Sequence, residues 1–217
     1  MKLLLIGAFG RMGKALRETR PRGVRIEYLG RLDEDPDLTR GWDGIMDFSG
    51  AQGFRRGLRL ALKARCRFFS GSTGLSSQDL RSLRQASKQI LCCHTPNTSV
   101  QLLELQSVLE RWPQRKMAQI RIREIHHVHK KDYPSGTSLL LAKSLNFDSA
   151  KIQSQRVENH VGTHELVLDF GLERLLFRHE VLDRRLFAEG AWKIFLRLSL
   201  QKKRMGLMTA QDLLKDE

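Results

Sequence analysis

The sequence predicts an α/β fold in which a parallel sheet covered by helices is followed by a smaller α+β domain. Up to residue 96, short apolar runs with strand character alternate with stretches of helical character, a pattern typical of parallel sheets. From residue 164 onward, runs of alternating apolar and polar residues follow one another instead. We therefore expect two domains, formed by residues 1–98 with 188–217 and by residues 99–187.

The chain opens with a predicted strand, turn and helix. The apolar run KLLLI at 2–6 ends at Gly7, and RMGKALRETR after it has helix-forming composition until Pro21 and Gly23. The run VRIEYLG at 24–30 alternates as a second strand, so the opening is a predicted βαβ unit. The further elements expected in this domain are strands at 44–48, 67–70 and 89–93 and helices at 51–65 and 76–88.

A change of pattern after Pro96 predicts the second domain. A helix over 99–111 is followed by a long alternating strand over 118–129 and by a helix over 135–145. Strands grouped together after alternating elements favour an α+β arrangement. Three more alternating runs are predicted as strands, namely HELVLDF at 164–170, ERLLFRHE at 173–180 and KIFLRLS at 193–199.

Composition restricts the partners and the compartment. The chain has 217 residues and a formal net charge of +14. Lys and Arg are spread through every segment without interleaved aromatic residues, so we expect a solvated basic surface and no nucleic-acid partner. The N-terminal apolar run ends at Gly7, too early for a signal peptide or a membrane span, and we expect no membrane partner. The three cysteines, two of them adjacent, suit no disulfide framework and favour a cytoplasmic location.

The turn GAFGRMG carries Gly7, Gly10 and Gly13 directly after the first predicted strand. Glycines let the backbone turn sharply and approach a pyrophosphate, and the N-terminus of the next helix offers N–H groups to it. Asp33 lies about twenty residues beyond Gly13, where a carboxylate can accept hydrogen bonds from ribose hydroxyls. This combination predicts a Rossmann-type dinucleotide-binding domain. The alternative is a turn that only connects a strand and a helix.

The segment EIHHVHKKDYPSGT carries the candidate chemistry of the second domain. Side chains alternate along a strand, so Glu124, His126 and Val128 are predicted to share one face and His127 and His129 the other.

A positive charge and a helix N-terminus follow these histidines. Lys130 leaves the predicted strand, and a turn at Tyr133 and Pro134 leads to a helix whose first backbone N–H groups, at Gly136 and Thr137, can hold a carboxylate. Imidazole, ammonium and a helix N-terminus within one loop predict a site for an anionic substrate that needs proton transfer.

Two other interpretations of the histidines stay open. His127 and His129 could bind a metal together with His94 or with the pair Cys92 and Cys93, although the spacing resembles no zinc signature, and we expect no metal site. They could also be ordinary surface residues at a strand end.

Together these segments resemble the dihydrodipicolinate reductase (4-hydroxy-tetrahydrodipicolinate reductase) family over nearly the whole chain. The most specific element is the signature E-x-H-H-x-x-K-x-D-x-P-S-G-T, in which every fixed position is filled at 124–137. The other matching motifs, in chain order, are G-R-M-G at 10–13, DFS at 47–49, GSTGLS at 71–76, TPNTS at 95–99, HEVLDRRLFAEGA at 179–191 and GLMTAQDLL at 206–214.

The resemblance implies NAD(P)H-dependent reduction of 4-hydroxy-tetrahydrodipicolinate to tetrahydrodipicolinate in lysine and diaminopimelate biosynthesis. A hydride goes from the reduced nicotinamide to a ring carbon of the cyclic dicarboxylate, and a proton follows. The resemblance also implies a homotetramer assembled through the strands of the second domain, with a dimer as the alternative. The rival hypotheses are a related dehydrogenase with another substrate and a basic binding protein that kept the fold.

By position, the resemblance also implies roles for single residues. His126 would be the catalytic proton donor or acceptor and Lys130 a second proton donor, with Glu124 and Asp132 as supports. The substrate-binding residues would be His127, Gly136 and Thr137. The cofactor-binding residues would be Gly7, Ala8, Phe9, Gly10, Arg11, Met12, Asp33, Gly71, Ser72, Thr73, Thr95, Pro96, Asn97 and Thr98.

The chain departs from the family pattern in three places. The segments 34–43 and 150–163 are short, which concerns the oligomer and part of the substrate site. Position 98 is Thr where an aromatic residue is usual, so stacking beside a nicotinamide is expected to be weaker.

Charged residues near the predicted ribose site favour different cofactors. Asp33, Glu34 and Asp35 would repel a 2′-phosphate, whereas the guanidinium groups of Arg11 and Arg31 suit one. Because an acidic residue also follows Asp33, we expect NADH to be preferred and NADPH tolerated.

Overall fold

The computed structural model describes residues 1–31, 33–130 and 132–215. Within these ranges, no helix has both the length and the apolar composition needed to cross a membrane.

The chain divides into two compact units. Unit 1 contains Met1–Ser99 together with the chain from Arg185 onward, and unit 2 contains Val100–Arg184. The sequence predicts the two breaks after residues 98 and 187.

The described residues form ten strands and seven α-helices. The strands are β1 (Lys2–Ile6), β2 (Arg25–Leu29), β3 (Gly44–Asp47), β4 (Arg67–Ser70), β5 (Leu91–His94), β6 (Gln119–His126), β7 (Gln153–Arg156), β8 (Thr163–Asp169), β9 (Arg174–Glu180) and β10 (Gly206–Met208). The helices are α1 (Arg11–Glu18), α2 (Ala51–Ala64), α3 (Ser77–Ala86), α4 (Val100–Arg111), α5 (Gly136–Leu145), α6 (Arg185–Leu200) and α7 (Ala210–Leu214).

Unit 1 holds a six-stranded parallel sheet in the order β10-β5-β4-β3-β1-β2. Its strands carry apolar side chains on both faces, as a sheet covered by helices on both sides requires. On one face Ile45 and Phe68 pack with Phe54 of α2. On the other face Phe69 packs with Phe195 of α6, with ring centroids 6.3 Å apart. This arrangement confirms the predicted Rossmann-type domain.

Unit 2 holds a mixed four-stranded sheet in the order β7-β6-β8-β9. Strand β6 pairs in parallel with β7 and antiparallel with β8, and β8 pairs antiparallel with β9. Helices α4 and α5 cover one face of this sheet, where Leu109, Leu141 and Leu145 pack with Ile122 and Leu166. The smaller α+β domain expected from the sequence is therefore present.

One predicted strand is wrong. The run KIFLRLS lies inside helix α6. Buried residues of α6 recur every three or four positions, at Ala188, Trp192, Phe195 and Leu198, so a helical stripe packs on the sheet of unit 1. The alternation within this short run does not reflect a strand. Two short strands, β7 and β10, were not predicted, because their sequences QSQR and GLM carry little periodic signal.

Candidate active site

The turn after β1 requires glycine at two positions and leads into a helix N-terminus. Gly7 has φ of +82°, and a Cβ placed there would lie 2.6 Å from the carbonyl oxygen of Phe48. A Cβ on Gly13 would overlap the carbonyl oxygen of Gly7. Gly10 is the N-cap of α1, and no side chain caps this helix N-terminus. A dinucleotide fits here, because its pyrophosphate oxygens would accept hydrogen bonds from the first turn of α1.

A buried carboxylate fastens two loops at the carboxyl ends of β3 and β4. Asp47 is 0% exposed and accepts hydrogen bonds from the hydroxyls of Ser49, Ser70 and Ser72, the last two at 2.8 Å. The hydroxyl of Ser72 in turn accepts from the backbone N–H of Gly50 at 2.8 Å. Burial raises the pKa of Asp47, although the serine hydrogen bonds act in the opposite direction. We call these residues, Asp47, Ser49, Ser70 and Ser72, the Asp47 network.

The loops after β4 and β5 contain the residues predicted to line the nicotinamide. The hydroxyl of Thr95 donates to the carbonyl of Asn97 at 2.5 Å, and that of Thr98 donates to the carbonyl of Phe187 at 2.7 Å. The side chains of Thr95, Asn97 and Thr98 are buried. The structure therefore offers the loop backbone, rather than these side chains, to a cofactor. The predicted loop residues are Gly71, Ser72, Thr73, Thr95, Pro96, Asn97 and Thr98.

Asp33 lies in the loop after β2, where its Oδ2 accepts a hydrogen bond from the backbone N–H of Gly30 at 2.6 Å. Sequence analysis missed two cations of α2 beside the acidic run. Arg56 and Arg59 each place a guanidinium nitrogen 2.9 Å from the carboxylate of Asp35. Helix α2 therefore neutralises part of the acidic charge of this loop. The basic run RRGLR on α2 was the available signal.

The central group of unit 2 is Glu124, which is fully buried in β6. It accepts hydrogen bonds from the backbone N–H of Ser135 at 2.9 Å and the hydroxyl of Ser138 at 2.7 Å. A guanidinium nitrogen of Arg156 lies 3.2 Å from its other oxygen. Burial alone would raise the pKa of Glu124, but hydrogen bonds from Ser135 and Ser138 lower it to about 2. The group is therefore a carboxylate at neutral pH.

His126 is buried beside Glu124, with its Nε2 3.8 Å from a Glu124 oxygen. Burial, and next the positive charge of Lys130, lower the pKa of His126 to about 4. The predicted place of Val128 on the same strand face is wrong. Strand β6 ends at His126, and Val128 lies in a turn, 48% exposed. His127, also past the end of β6, is half-buried.

Sequence analysis missed two further histidines that join His126. His126 Nε2 lies 3.1 Å from His164 Nε2, and His164 Nδ1 lies 3.4 Å from His179 Nδ1. Burial, followed by the neighbouring imidazoles, lowers the pKa of His164 to about 3. The signal was available in HELVLDF and ERLLFRHE, whose antiparallel pairing places His164 opposite His179.

Lys130 and the first turn of α5 complete the site in unit 2. Lys130 Nζ lies 3.2 Å from a carboxylate oxygen of Asp132. Gly136 and Thr137 begin α5, whose N-cap Ser135 accepts from the backbone N–H of the third helical residue. Ser135 Oγ also lies 3.2 Å from the nearest nitrogen of the second buried imidazole, His164 Nε2. The structure thus places imidazole, ammonium and a helix N-terminus in one unit.

Among the described residues, one cluster has the ligand types and spacing that a metal ion could use. It consists of Glu124, His126 and His164, whose ligand atoms lie within 4.8 Å of one another. Both oxygens of Glu124 already accept hydrogen bonds, and the guanidinium of Arg156 lies beside them. A cation would have to displace these donors, so we interpret the cluster as a hydrogen-bonded network.

The other metal ligands considered from the sequence lie inside unit 1. His94 Nε2 contacts the carbonyl oxygen of Ser72 at 3.0 Å. Cys66, Cys92 and Cys93 are buried free thiols, and burial raises their pKa, to about 12 for Cys66 and Cys92.

Comparison with known proteins assigns the chain to a family. Residues 22–98 match the family described as dihydrodipicolinate reductase, N-terminus, and residues 101–214 match dihydrodipicolinate reductase, C-terminus. The 4-hydroxy-tetrahydrodipicolinate reductase of Zymomonas mobilis subsp. mobilis is 30% identical, over 93% of this chain and 92% of that protein. The protein of the same name from Xanthomonas euvesicatoria pv. vesicatoria is 31% identical, over 88% of this chain and 89% of that protein.

Solved structures show the same fold. Dipicolinate-bound dihydrodipicolinate reductase from Paenisporosarcina sp. TG-14 has a TM-score of 0.75 at 16% identity, over 96% of this chain and 97% of that one. Aspartate dehydrogenase from Thermotoga maritima has a TM-score of 0.54 at 12% identity, over 95% and 99%. The solved structures support the fold alone, whereas the family match spans both units. This chain therefore belongs to the dihydrodipicolinate reductase family.

Proposed function

We propose that this protein reduces 4-hydroxy-tetrahydrodipicolinate to tetrahydrodipicolinate at the expense of a reduced nicotinamide dinucleotide. The observation that carries the proposal is the placement of His126 and the N-terminus of α5 beside the buried carboxylate of Glu124, with Lys130 close enough for its charge to lower the pKa of His126. This arrangement supplies a proton-transfer group and two centres of positive potential, which a dianionic substrate requires. The solved relative with the TM-score of 0.75 holds dipicolinate, a compound of this class.

In this proposal the residues of unit 2 bind the substrate and move the proton. His126 gives a proton to the reduced ring. Lys130 attracts a carboxylate and is the second proton donor, and Asp132 holds its Nζ at 3.2 Å. His127 and the first N–H groups of α5, at Gly136 and Thr137, bind the carboxylates.

Unit 1 supplies the cofactor site. When bound, the reduced nicotinamide supplies the hydride. The glycine turn after β1 holds the pyrophosphate, and Asp33 accepts hydrogen bonds from the ribose. The loops after β4 and β5, the first of them fixed by the Asp47 network, present their backbone to the nicotinamide. The cofactor residues of the glycine turn are Gly7, Ala8, Phe9, Gly10, Arg11 and Met12.

We also propose that the protein acts in the cytoplasm as a homotetramer, with a dimer as the alternative. The sheet of unit 2 supports this assembly, because the face opposite α4 and α5 exposes an apolar residue, Leu176, that is 62% exposed on β9. Light scattering at micromolar concentration tests the proposal, and a monomer would contradict both assemblies.

A spectrophotometric assay tests the proposed function. Loss of reduced cofactor is followed after the substrate is freshly generated by its synthase. We expect the reduced cofactor to be consumed only when the synthase product is present. The His129→Gln variant is the control and should behave as wild type, because this exposed histidine lies outside the hydrogen-bonded network of Glu124, His126 and His164. Consumption without the synthase product would indicate another dehydrogenase, and no consumption with either cofactor would favour the binding-protein hypothesis.

A further inference from the structure

Three imidazoles and one carboxylate lie on one face of the unit 2 sheet. The strand register pairs Glu124 with His164 and His164 with His179, and His126 lies two positions after Glu124 on the same strand. His164 is therefore in contact with both other rings, at 3.1 Å from His126 and 3.4 Å from His179. His126 and His164 are buried, whereas His179 is half-buried on the edge strand β9. We call these residues, His126, His164 and His179, the histidine row.

The direction of each hydrogen bond around His164 follows from Glu124. A carboxylate only accepts, so the hydroxyl of Ser138 donates to Glu124 at 2.7 Å. The hydroxyl of Ser135 has a single hydrogen, which is donated to Ser138 Oγ at 3.3 Å. With its hydrogen used in this way, Ser135 Oγ is left to accept from His164 Nε2, which lies 3.2 Å away. In the arrangement that we infer, His164 therefore carries its proton on Nε2.

The protons of the other two rings follow from this one. In this arrangement the single N–H of His164 is shared between Ser135 Oγ and His126 Nε2, so His126 Nε2 accepts and His126 keeps its own proton on Nδ1. The ring of His126 bonds the backbone of Val161, and a Cβ on Gly162 would lie 3.0 Å from its Nδ1, which places that nitrogen beside this segment. The bare Nδ1 of His164 accepts from Nδ1 of His179.

We propose that His164 is a positioning residue for His126. Glu124, acting through Ser138 and Ser135, fixes the proton of His164 on Nε2, and this proton holds His126 in the tautomer whose Nε2 takes up and releases the transferred proton. When His126 is protonated, two N–H groups oppose each other at 3.1 Å, so the imidazolium releases its proton readily. The inference rests on the proposed reductase function.

The step balances in protons and charge. The Nε2–H bond of the His126 imidazolium breaks, and the proton goes to the ring atom that holds the electron pair left after hydride addition. His126 returns to the neutral form and takes its next proton from solvent. The charged and titratable groups facing His126 are Glu124 of β6, Lys130 of the following loop, Arg156 of β7 and His164 of β8, while the hydroxyl of Ser135, the N-cap of α5, faces His164.

Two variants of His164 separate positioning from packing. His164→Leu removes the N–H, and we expect kcat to fall about tenfold, part of what a general acid contributes. The KM for substrate and for cofactor should stay within about twofold, because the residue touches neither. His164→Gln keeps a donor near the position of Nε2 and should restore most of the activity. Equal loss in both variants, or none in either, would overturn the proposal.

The pH profile gives a readout that a merely structural residue would not move. Loss of the opposing N–H should raise the pKa seen in the kcat profile by about one pH unit in His164→Leu. Ser138→Ala, which breaks the link to Glu124, should move it in the same direction by less. His160→Gln is the matched control, since this half-buried histidine bonds Thr163 at 2.8 Å. An unchanged profile in His164→Leu would contradict the proposal.

Nitrogen-15 NMR of the wild-type imidazoles tests the tautomers even if a variant fails to fold. We expect His164 protonated on Nε2 and His126 on Nδ1 near neutral pH. The opposite tautomer of either ring would overturn the proposed positioning. A wild-type protein that shows these tautomers but reduces no synthase product would refute the reductase function and leave the proton arrangement standing, so the two failures are distinguishable.

Discussion

The two units each bury one carboxylate, and the two groups respond to burial in opposite ways. Asp47 in unit 1 and Glu124 in unit 2 are both 0% exposed, and both accept hydrogen bonds from serine hydroxyls. Burial raises the pKa of Asp47 despite its serines. Burial also opposes the charge of Glu124, but hydrogen bonds from Ser135 and Ser138 lower its pKa to about 2.

The difference lies in the partners. The side chains that donate to Asp47 are hydroxyls, which can turn around and accept when the acid takes up a proton. Glu124 also accepts from a guanidinium nitrogen of Arg156 at 3.2 Å, which can only donate. Asp47 therefore braces loops in either protonation state, whereas Glu124 keeps its charge and imposes a direction on every hydrogen bond around it.

The largest expected effect comes from neutralising each carboxylate in turn. Glu124→Gln should destabilise the protein by about 3 kcal/mol, because the half-buried guanidinium of Arg156 then loses its charged partner. Asp47→Asn should cost only about 1 kcal/mol, the usual loss for neutral hydrogen bonds. Urea unfolding at pH 7 measures both free energies. Equal losses in the two variants would remove the distinction between them.

The next largest effect concerns proton transfer by His126. His126→Gln should lower kcat about a hundredfold, as expected for a positioned general acid, and leave cofactor affinity nearly unchanged. Asp47→Asn should have the opposite pattern, with a larger loss of cofactor affinity than of kcat. Steady-state kinetics and cofactor titration separate the two. Turnover of His126→Gln at the wild-type level would remove His126 from the mechanism.

As the pH falls, the contributions of the two carboxylates to the free energy of unfolding should change in opposite directions. The pKa of Glu124 is lowered from 4.5 to about 2, so its contribution to stability is complete above pH 4.5 and is lost as the pH falls toward 2. Wild type should lose about 2 kcal/mol more than Glu124→Gln between pH 5 and pH 3. The raised pKa of Asp47 stabilises the fold at low pH, and this contribution is lost as pH rises. Parallel wild-type and Glu124→Gln curves would contradict this.

A smaller effect is expected from Lys130, the half-buried cation in the loop after β6. Lys130→Ala should lower kcat and raise the KM for substrate by about tenfold each, because it deletes a charge that faces a dianion. It should also raise the pKa of His126, which the charge of Lys130 helps to lower. Lys151→Ala, on an exposed lysine after α5, is the control. A variant that changes only stability would show that Lys130 is not part of the site.

Local patterns predicted most of the fold, and the long signature placed His126, Lys130 and Gly136 in one unit. The histidine row was not predicted, because His164 and His179 are isolated residues in two ordinary strands and meet His126 only through the register of β6, β8 and β9. Helix α6 was partly misassigned for a different, local reason, since its apolar residues were interpreted over a run too short to show the helical period. Information that depends on pairing between distant segments is absent from a local pattern.

The smallest expected effect concerns a third carboxylate, Asp33, which is exposed and differs in this from both buried groups. Its Oδ2 accepts from Gly30 N–H at 2.6 Å, which holds it beside the predicted ribose site, while Asp35 is paired with Arg56 and Arg59. We expect kcat/KM to favour NADH by less than about tenfold, because ribose hydrogen bonds to Asp33 are opposed by these cations. Asp33→Asn should move the ratio toward NADPH, with Glu27→Gln on β2 as control. A wild-type ratio that favours NADPH tenfold or more would show that the arginines outweigh the carboxylate.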